Sequence, residues 1–183
     1  VAPNNPGNAD LKPETTLEIE GGFDAGLFED KVGLTFTYYY AKTTDALLGI
    51  NKPPSEGFGS SRQENVGVIL NQGWETSVNF TPINNSGMRW SVDVNLDSNK
   101  NEILDLGDQA TTTKYMVKDG KGGFKEIEVT QLGTHEEGYE LRASWTRMIN
   151  GYDPATNKHT RTSLNVYQGQ RLPKWTASLG NTF

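Results

Sequence analysis

Val32-Gly33-Leu34-Thr35-Phe36-Thr37-Tyr38-Tyr39-Tyr40 is the stretch on which the fold turns. Its even positions are Val32, Leu34, Phe36, Tyr38 and Tyr40, and its odd positions are Gly33, Thr35, Thr37 and Tyr39. Successive side chains of a β-strand point to opposite faces, so this period of two describes a strand with one greasy face and one polar face. Four more segments share the design. Leu17, Ile19 and Phe23 oppose Glu18, Glu20 and Asp24. Val66, Val68, Leu70, Trp74, Val78 and Phe80 oppose Gly67, Ile69, Asn71, Gly73, Glu75, Ser77 and Asn79, with Ile69 the one apolar intruder on the polar side. Trp90, Val92, Val94 and Leu96 alternate with Ser91, Asp93, Asn95 and Asp97, and Trp175, Ala177 and Leu179 alternate with Lys174, Thr176, Ser178 and Gly180. The pattern predicts an all-β, antiparallel protein.

The 183 residues carry a formal charge of −6, with 34% hydrophobic residues and 20 glycines. Mean hydropathy is −0.64 and the sequence pI is near 5.0. Turn formers and polar β-branched residues outnumber helix builders, which argues against a helical bundle. No apolar run approaches the roughly 20 residues of a membrane-spanning helix. A transmembrane β-barrel stays open, because alternating strands leave no hydropathy peak. Zero cysteines exclude a disulfide scaffold and thiolate metal sites, and the acidic balance argues against nucleic acid as a partner. Because the sequence opens at Val1, with neither Met nor a signal peptide, it reads as a processed product or part of something longer.

Alternation alone fits two settings, a soluble sandwich or a barrel wall in lipid. Connection lengths separate them. Ala25 to Asp30 and Thr81 to Met88 are short joins, the latter carrying Asn84-Asn85-Ser86-Gly87. The connection from Lys42 to Asn65, with its Pro53-Pro54 break and Gly57 to Ser61 loop, is long, and the one between the fourth and fifth strands is longer still. In an antiparallel meander alternate connections share an end, so one end carries short turns and the other long loops, as transmembrane barrels do. Phe80 and Trp90 fall near the short-turn end; Tyr38, Tyr40 and Trp175 fall near the long-loop end, the placement two aromatic girdles require. Inside the longest connection, Tyr115 to Val117 and Phe124 to Val129 flank Asp119-Gly120-Lys121-Gly122-Gly123 and predict a hairpin. Tyr139 to Ile149 is expected to add a strand and Tyr152-Asp153-Pro154 to start a turn.

Several of these segments resemble TonB-dependent outer-membrane transporters. Gly7 to Thr16, with Leu11-Lys12-Pro13-Glu14 at its centre, followed by Glu18, Glu20 and Gly21-Gly22-Phe23-Asp24, resembles a segment recurring in their barrels. Tyr38 to Asp45 is similar to a strand end of that family. Asn65-Val66-Gly67, Asn71-Gln72-Gly73-Trp74-Glu75 and Asn95 to Ile103 resemble the SusC/RagA-like branch. Tyr152 to Lys158 is similar to a loop of that branch, with Asn157 where glycine is usual. The resemblance implies about five strands of a roughly 22-stranded C-terminal barrel, with long extracellular loops containing a hairpin. All of 1–183 would then be part of a single barrel domain, without plug domain, TonB box or signal peptide. It further implies an outer-membrane location, lipid around the wall, a SusD-like surface lipoprotein over the loops, and a TonB complex acting through a plug. The activity implied is uptake of a polar nutrient, an oligosaccharide or oligopeptide. The competing reading is a soluble, secreted β-sandwich that binds glycans or a partner and buries Trp74, Trp90 and Trp175 in one core.

No catalytic set emerges, and neither enzyme activity nor a cofactor is expected. His135-Glu136-Glu137 lacks the second histidine of a zinc-protease helix, and His159 stands apart. Asp119 to Gly123 has no Gly-Lys-Ser/Thr and is a turn rather than a phosphate loop. Asp97, Asn99 and Asn101 with Asp105 and Asp108 are spaced like a calcium loop, but Glu102 stands where glycine is needed, so no metal site is expected. If the apolar face meets lipid, then Glu18, Glu20, Asp24, Tyr39, Asn71, Glu75, Asn79, Asp93, Asn95, Asp97 and Asn99 line the lumen. On the loops, Tyr115, Trp145, Tyr152 and Tyr167 are the candidates for contact with a ligand or lid.

Overall fold

The computed structural model describes residues 7–51, 55 and 61–183. The Pro53-Pro54 break and most of the Gly57 to Ser61 loop lie outside the described residues. In chain order the strands are β1 (Thr15–Leu27), β2 (Val32–Thr44), β3 (Leu47–Asn51), β4 (Ser61–Asn65), β5 (Val68–Asn84) and β6 (Arg89–Asp105). There follow β7 (Thr111–Lys118), β8 (Phe124–Leu132), β9 (His135–Glu136), β10 (Ala143–Thr146), β11 (Ile149–Asp153), β12 (Lys158–Arg161), β13 (Val166–Gln170) and β14 (Trp175–Thr182). The five alternating segments are β1, β2, β5, β6 and β14, and they form one sheet in the order β1-β2-β5-β6-β14. β5 and β6 reach 17 residues each, longer than the roughly 9–11 that cross a bilayer at a tilt.

By contacts the chain divides into two compact units. The sheet unit is Thr16–Thr43, Leu70–Asn101 and Pro173–Phe183; the loop unit is Val1–Thr15, Thr44–Ile69 and Glu102–Leu172.

In the sheet unit, β14 runs antiparallel to β6 from Trp175↔Ser98 to Thr182↔Ser91. The turn between β5 and β6 closes because the Asn85 carboxamide oxygen accepts from the amides of Gly87 (3.0 Å) and Met88 (2.9 Å), an Asx turn. The turn from β1 to β2 holds Phe28, Glu29 and Asp30 at φ near +60°, a conformation that side chains normally avoid. At Gly73 the backbone comes so close to its neighbours that a Cβ would stand 2.2 Å from the Ser98 carbonyl oxygen and 2.6 Å from the Tyr39 hydroxyl.

In the loop unit, β7 and β8 form the predicted hairpin, with Lys118↔Phe124 at its tip. Asp119 Oδ1 accepts from the amides of Lys121 and Gly123, both at 2.8 Å. β10, β13, β7, β8 and β9 make one sheet in that order, with β13 parallel to β7 at Val166↔Met116. β3 pairs with β4, and β11 with β12. The strand expected over Tyr139 to Ile149 shrinks to Ala143–Thr146, with Ile149 opening β11. Its first residues are diverted because the Gly138 amide donates to the Ile103 carbonyl and the Ile103 amide to the Tyr139 carbonyl. Buried Ala46, Leu48, Ile50, Ile69, Ile103, Leu106 and Leu132 make this unit's hydrophobic core.

Candidate functional site

The two faces of the sheet differ sharply. On one, Leu17 is 63% exposed, Trp175 66% and Leu179 74%, and Ile19, Phe23, Phe80 and Leu96 are exposed with them. Every buried hydrophobic residue among those described belongs to the loop unit. A water-soluble domain would hide the apolar faces of its strands in a core. Here they face outward, and such a continuous apolar surface needs a non-aqueous neighbour. Trp74 and Trp90 are half-buried and Trp175 is open, so no tryptophan core of the sandwich kind exists in this sheet.

The opposite face gathers the lumen candidates into cross-strand pairs. Thr35 Oγ1 donates to Asp24 Oδ1 at 2.7 Å. Ser77 Oγ donates to Asn95 Oδ1 (2.8 Å), and Asn95 Nδ2 donates onward to Ser178 Oγ (3.1 Å), linking β5, β6 and β14. Asn79 Nδ2 donates to Asp93 Oδ1 at 2.6 Å, and Thr176 Oγ1 donates to Asp97. Asn99 Nδ2 donates to the Tyr39 hydroxyl at 2.8 Å, with the Tyr39 ring laid over the bare backbone of Gly73. Glu18, Glu20, Tyr39 and Glu75 line one shallow depression of about 240 Å³. Asn71 is half-buried, two residues from Gly73 on the same side of β5. Asp97, Asn99, Asn101 and Asp105 lie along extended β6 rather than in a loop. Among the described residues no group of three or more His, Asp or Glu is arranged to hold a metal.

The loop candidates separate into two places. Trp145 of β10 packs against Tyr115 of β7 (4.2 Å between centroids) and Tyr167 of β13 (5.2 Å). A fourth ring, Tyr139, lies 4.7 Å from Trp145 and 5.0 Å from Tyr167. Two buried carboxylates complete the cluster. The Tyr115 hydroxyl donates to Glu136 at 3.2 Å and the Tyr167 hydroxyl to Glu140 at 2.6 Å. Burial pushes the Tyr115 phenol up to about 12, and the neighbouring Glu136 charge adds to it. Burial likewise raises Tyr167, Tyr139 and the Glu136 carboxyl. The indole N–H of Trp145 lies close enough to favour the charged form of Glu136 while falling outside hydrogen-bond geometry. Tyr115 is buried to 6% exposure and serves to pack the loops. Tyr152 is elsewhere, 54% exposed on β11, edge-on to His159 and donating to Asn157. Tyr139, Glu136 and Glu140 escaped the sequence reading because the cluster's members come from separate elements with no shared period.

Comparison with known proteins bears on both units. Residues 1–183 match the family described as TonB dependent receptor-like, beta-barrel. TonB-dependent receptor P26 of Formosa agariphila is 42% identical over 102 residues, which cover 56% of this chain and 10% of that protein. TonB-dependent receptor SusC of Bacteroides thetaiotaomicron is 30% identical over 134 residues, 72% of this chain and 13% of that protein. Among solved structures, the RagAB peptide transporter superposes with a TM-score of 0.63 at 23% identity, over 95% of this chain and 20% of the matched one. That likeness is one of fold. The chain therefore spans only a small part of the length of the proteins it matches.

Proposed function

The chain belongs to the TonB-dependent receptor-like β-barrel family, in its SusC/RagA-like branch, and from that premise we propose that it supplies wall and loops to an active importer of a polar nutrient. It is a section of an outer-membrane barrel. The observation that carries the proposal is the two-faced sheet, with Leu17, Trp175 and Leu179 outward and exposed and, on the other side, Asn79 bonded to Asp93 and Asn95 to Ser178. A strand wall of this kind tolerates charge only on its wet side, and its two open edges, β1 and β14, call for further strands to close the barrel. In this reading 1–183 forms part of one barrel domain, and Glu18, Glu20, Asp24, Tyr39, Asn71, Glu75, Asn79, Asp93, Asn95, Asp97 and Asn99 line the lumen. The long loops are extracellular in this reading, with Tyr152 exposed for contact, and a SusD-like lipoprotein would cover them. A TonB complex would act through a plug elsewhere in the protein. The cargo is an oligosaccharide or an oligopeptide; RagAB is a peptide transporter. The test is extraction and migration of the full-length parent. It should require detergent and shift on gels when heated; a parent that stays soluble without detergent and shows no heat-modifiable band refutes the wall.

A further inference from the structure

A cleft of about 660 Å³ opens in the loop unit between β3 and the start of β10, and Arg142, Arg171, His135, Gln63 and Thr134 are its polar lining. No carboxylate is among its described lining residues, although the chain carries a net −6. The two arginines are brought together by strand register. β10 pairs antiparallel with β13 at Ala143↔Gln170, so Arg142 and Arg171, the residues flanking that pair, leave the ladder at the same end, and both reach the lining of the cleft. Like charges brought to one cleft repel. Both arginines are exposed at this cleft, and neither makes a hydrogen bond or ion pair among the described residues. The nearest acid in sequence, Glu140, is taken by the Tyr167 hydroxyl at 2.6 Å. His135 also lines the cleft; its ring interacts with the Leu141 backbone, while its Nδ1 is buried with no hydrogen-bond partner among the described residues. Leu47, Leu48 and Leu141 supply an apolar wall beside these donors.

We propose that this cleft is an oxyanion site that holds a carboxylate of the imported ligand between Arg142 and Arg171. A planar guanidinium matches a carboxylate bidentately, and an anion between the two forks removes their mutual repulsion. Gln63 and Thr134 add neutral donors, while the leucines accept the carbon skeleton that bears the acid. The carboxylate belongs either to an acidic glycan unit or to the C-terminus of a peptide. This names the charge of the cargo and rests on the importer reading above.

The test uses the full-length parent in detergent and two matched probe pairs: tetragalacturonate against its methyl ester, and acetyl-tetra-alanine with a free or an amidated C-terminus. Binding is followed by calorimetry for wild type, Arg142→Gln, Arg171→Gln, the double variant, and Arg161→Gln on exposed β12 as a control for diffuse charge. Heat-modifiable migration verifies that each variant is folded. The acid of one pair should bind at least about tenfold tighter than its neutral partner, a difference of ~1.4 kcal/mol. Each single cleft variant should lose about tenfold, and Arg161→Gln should lose little; the pair that discriminates identifies the source of the carboxylate. Equal binding of acid and neutral probe in both pairs, undiminished affinity in the double variant, or an equal loss in Arg161→Gln overturns the site. A parent that is heat-modifiable yet indifferent to charge overturns this site alone and leaves the barrel reading standing.

Discussion

Leu179 to Arg is the substitution that asks most directly what the exposed face touches. Leu179 is 74% exposed, paired with Val94 across β6. It lies four residues from Trp175 (66% exposed) and four from Phe183 (78% exposed), all of one parity. At ~3.3 Å per residue each interval is about 13 Å along the strand, or about 10 Å along the membrane normal at a tilt near 40°. Two aromatic rings about 20 Å apart fit the edges of a ~25 Å apolar band, which puts Leu179 close to its midplane. Arginine at that depth costs about 2–4 kcal/mol, a 30- to 900-fold change in the folding equilibrium at ~1.36 kcal/mol per decade. On a wetted surface the same change would stay within about 0.5 kcal/mol. The assay is guanidinium unfolding of the full-length parent in phosphatidylcholine vesicles, read by the heat-modifiable band. Ser178→Arg is the internal control: it is one residue away, on the face carrying Asp93 and Asp97, and forfeits only its hydrogen bond from Asn95, about 1 kcal/mol. A Leu179→Arg variant as stable as wild type would refute the lipid-facing assignment.

Other expectations test the interior of each unit. Gly73→Ala drives a Cβ to 2.2 Å from the Ser98 carbonyl and 2.6 Å from the Tyr39 hydroxyl; overpacking of this kind costs about 1–3 kcal/mol, and the same vesicle assay should show a lower midpoint. Asn157 holds φ at +53°, so Asn157→Gly should preserve the β11–β12 hairpin while Asn157→Ala weakens it by ~1 kcal/mol, read as faster amide exchange across Tyr152 to Lys158. Tyr115 has its folded-state pKa raised to about 12, above the roughly 10 of a free phenol. Its contribution to the loop cluster is therefore complete below pH 10 and fades as pH climbs toward 12, and near-UV circular dichroism of the loops should decay in that window. In Tyr115→Phe the alkaline decay should lose this component, and an unchanged profile would refute its assignment to Tyr115.

The wall was legible in the sequence because its information is local. Val32 to Tyr40 declares both faces of β2 without reference to any other strand, and Leu17 to Asp24 does the same for β1. Turn chemistry was equally local at Asn85, where one side chain caps two amides, and at Asp119. The limits of the loop strands were not, because backbone groups at Gly138 and Tyr139 are taken by Ile103, more than thirty residues earlier. The Tyr115–Tyr139–Trp145–Tyr167 cluster and the Arg142–Arg171 juxtaposition share that difficulty. Each depends on which strands pair and in what register, and β13 joins β7 in parallel, a pairing that no short turn announces.

The distribution of burial then accounts for the low mean hydropathy of −0.64. In a soluble domain the apolar faces of several strands must be spent on one another, and the surface that remains is polar. Here the core of Leu48, Ile50, Ile103 and Leu106 sits in the loop unit, away from the exposed apolar face of the sheet. The long regular strands keep their apolar faces for something outside the chain. A wall of that design needs only half of its residues to be greasy, and its other half can be as polar as Asp93, Asn95 and Asp97. Its average therefore resembles that of a hydrophilic protein, and the membrane shows itself in the alternation and the loop lengths instead.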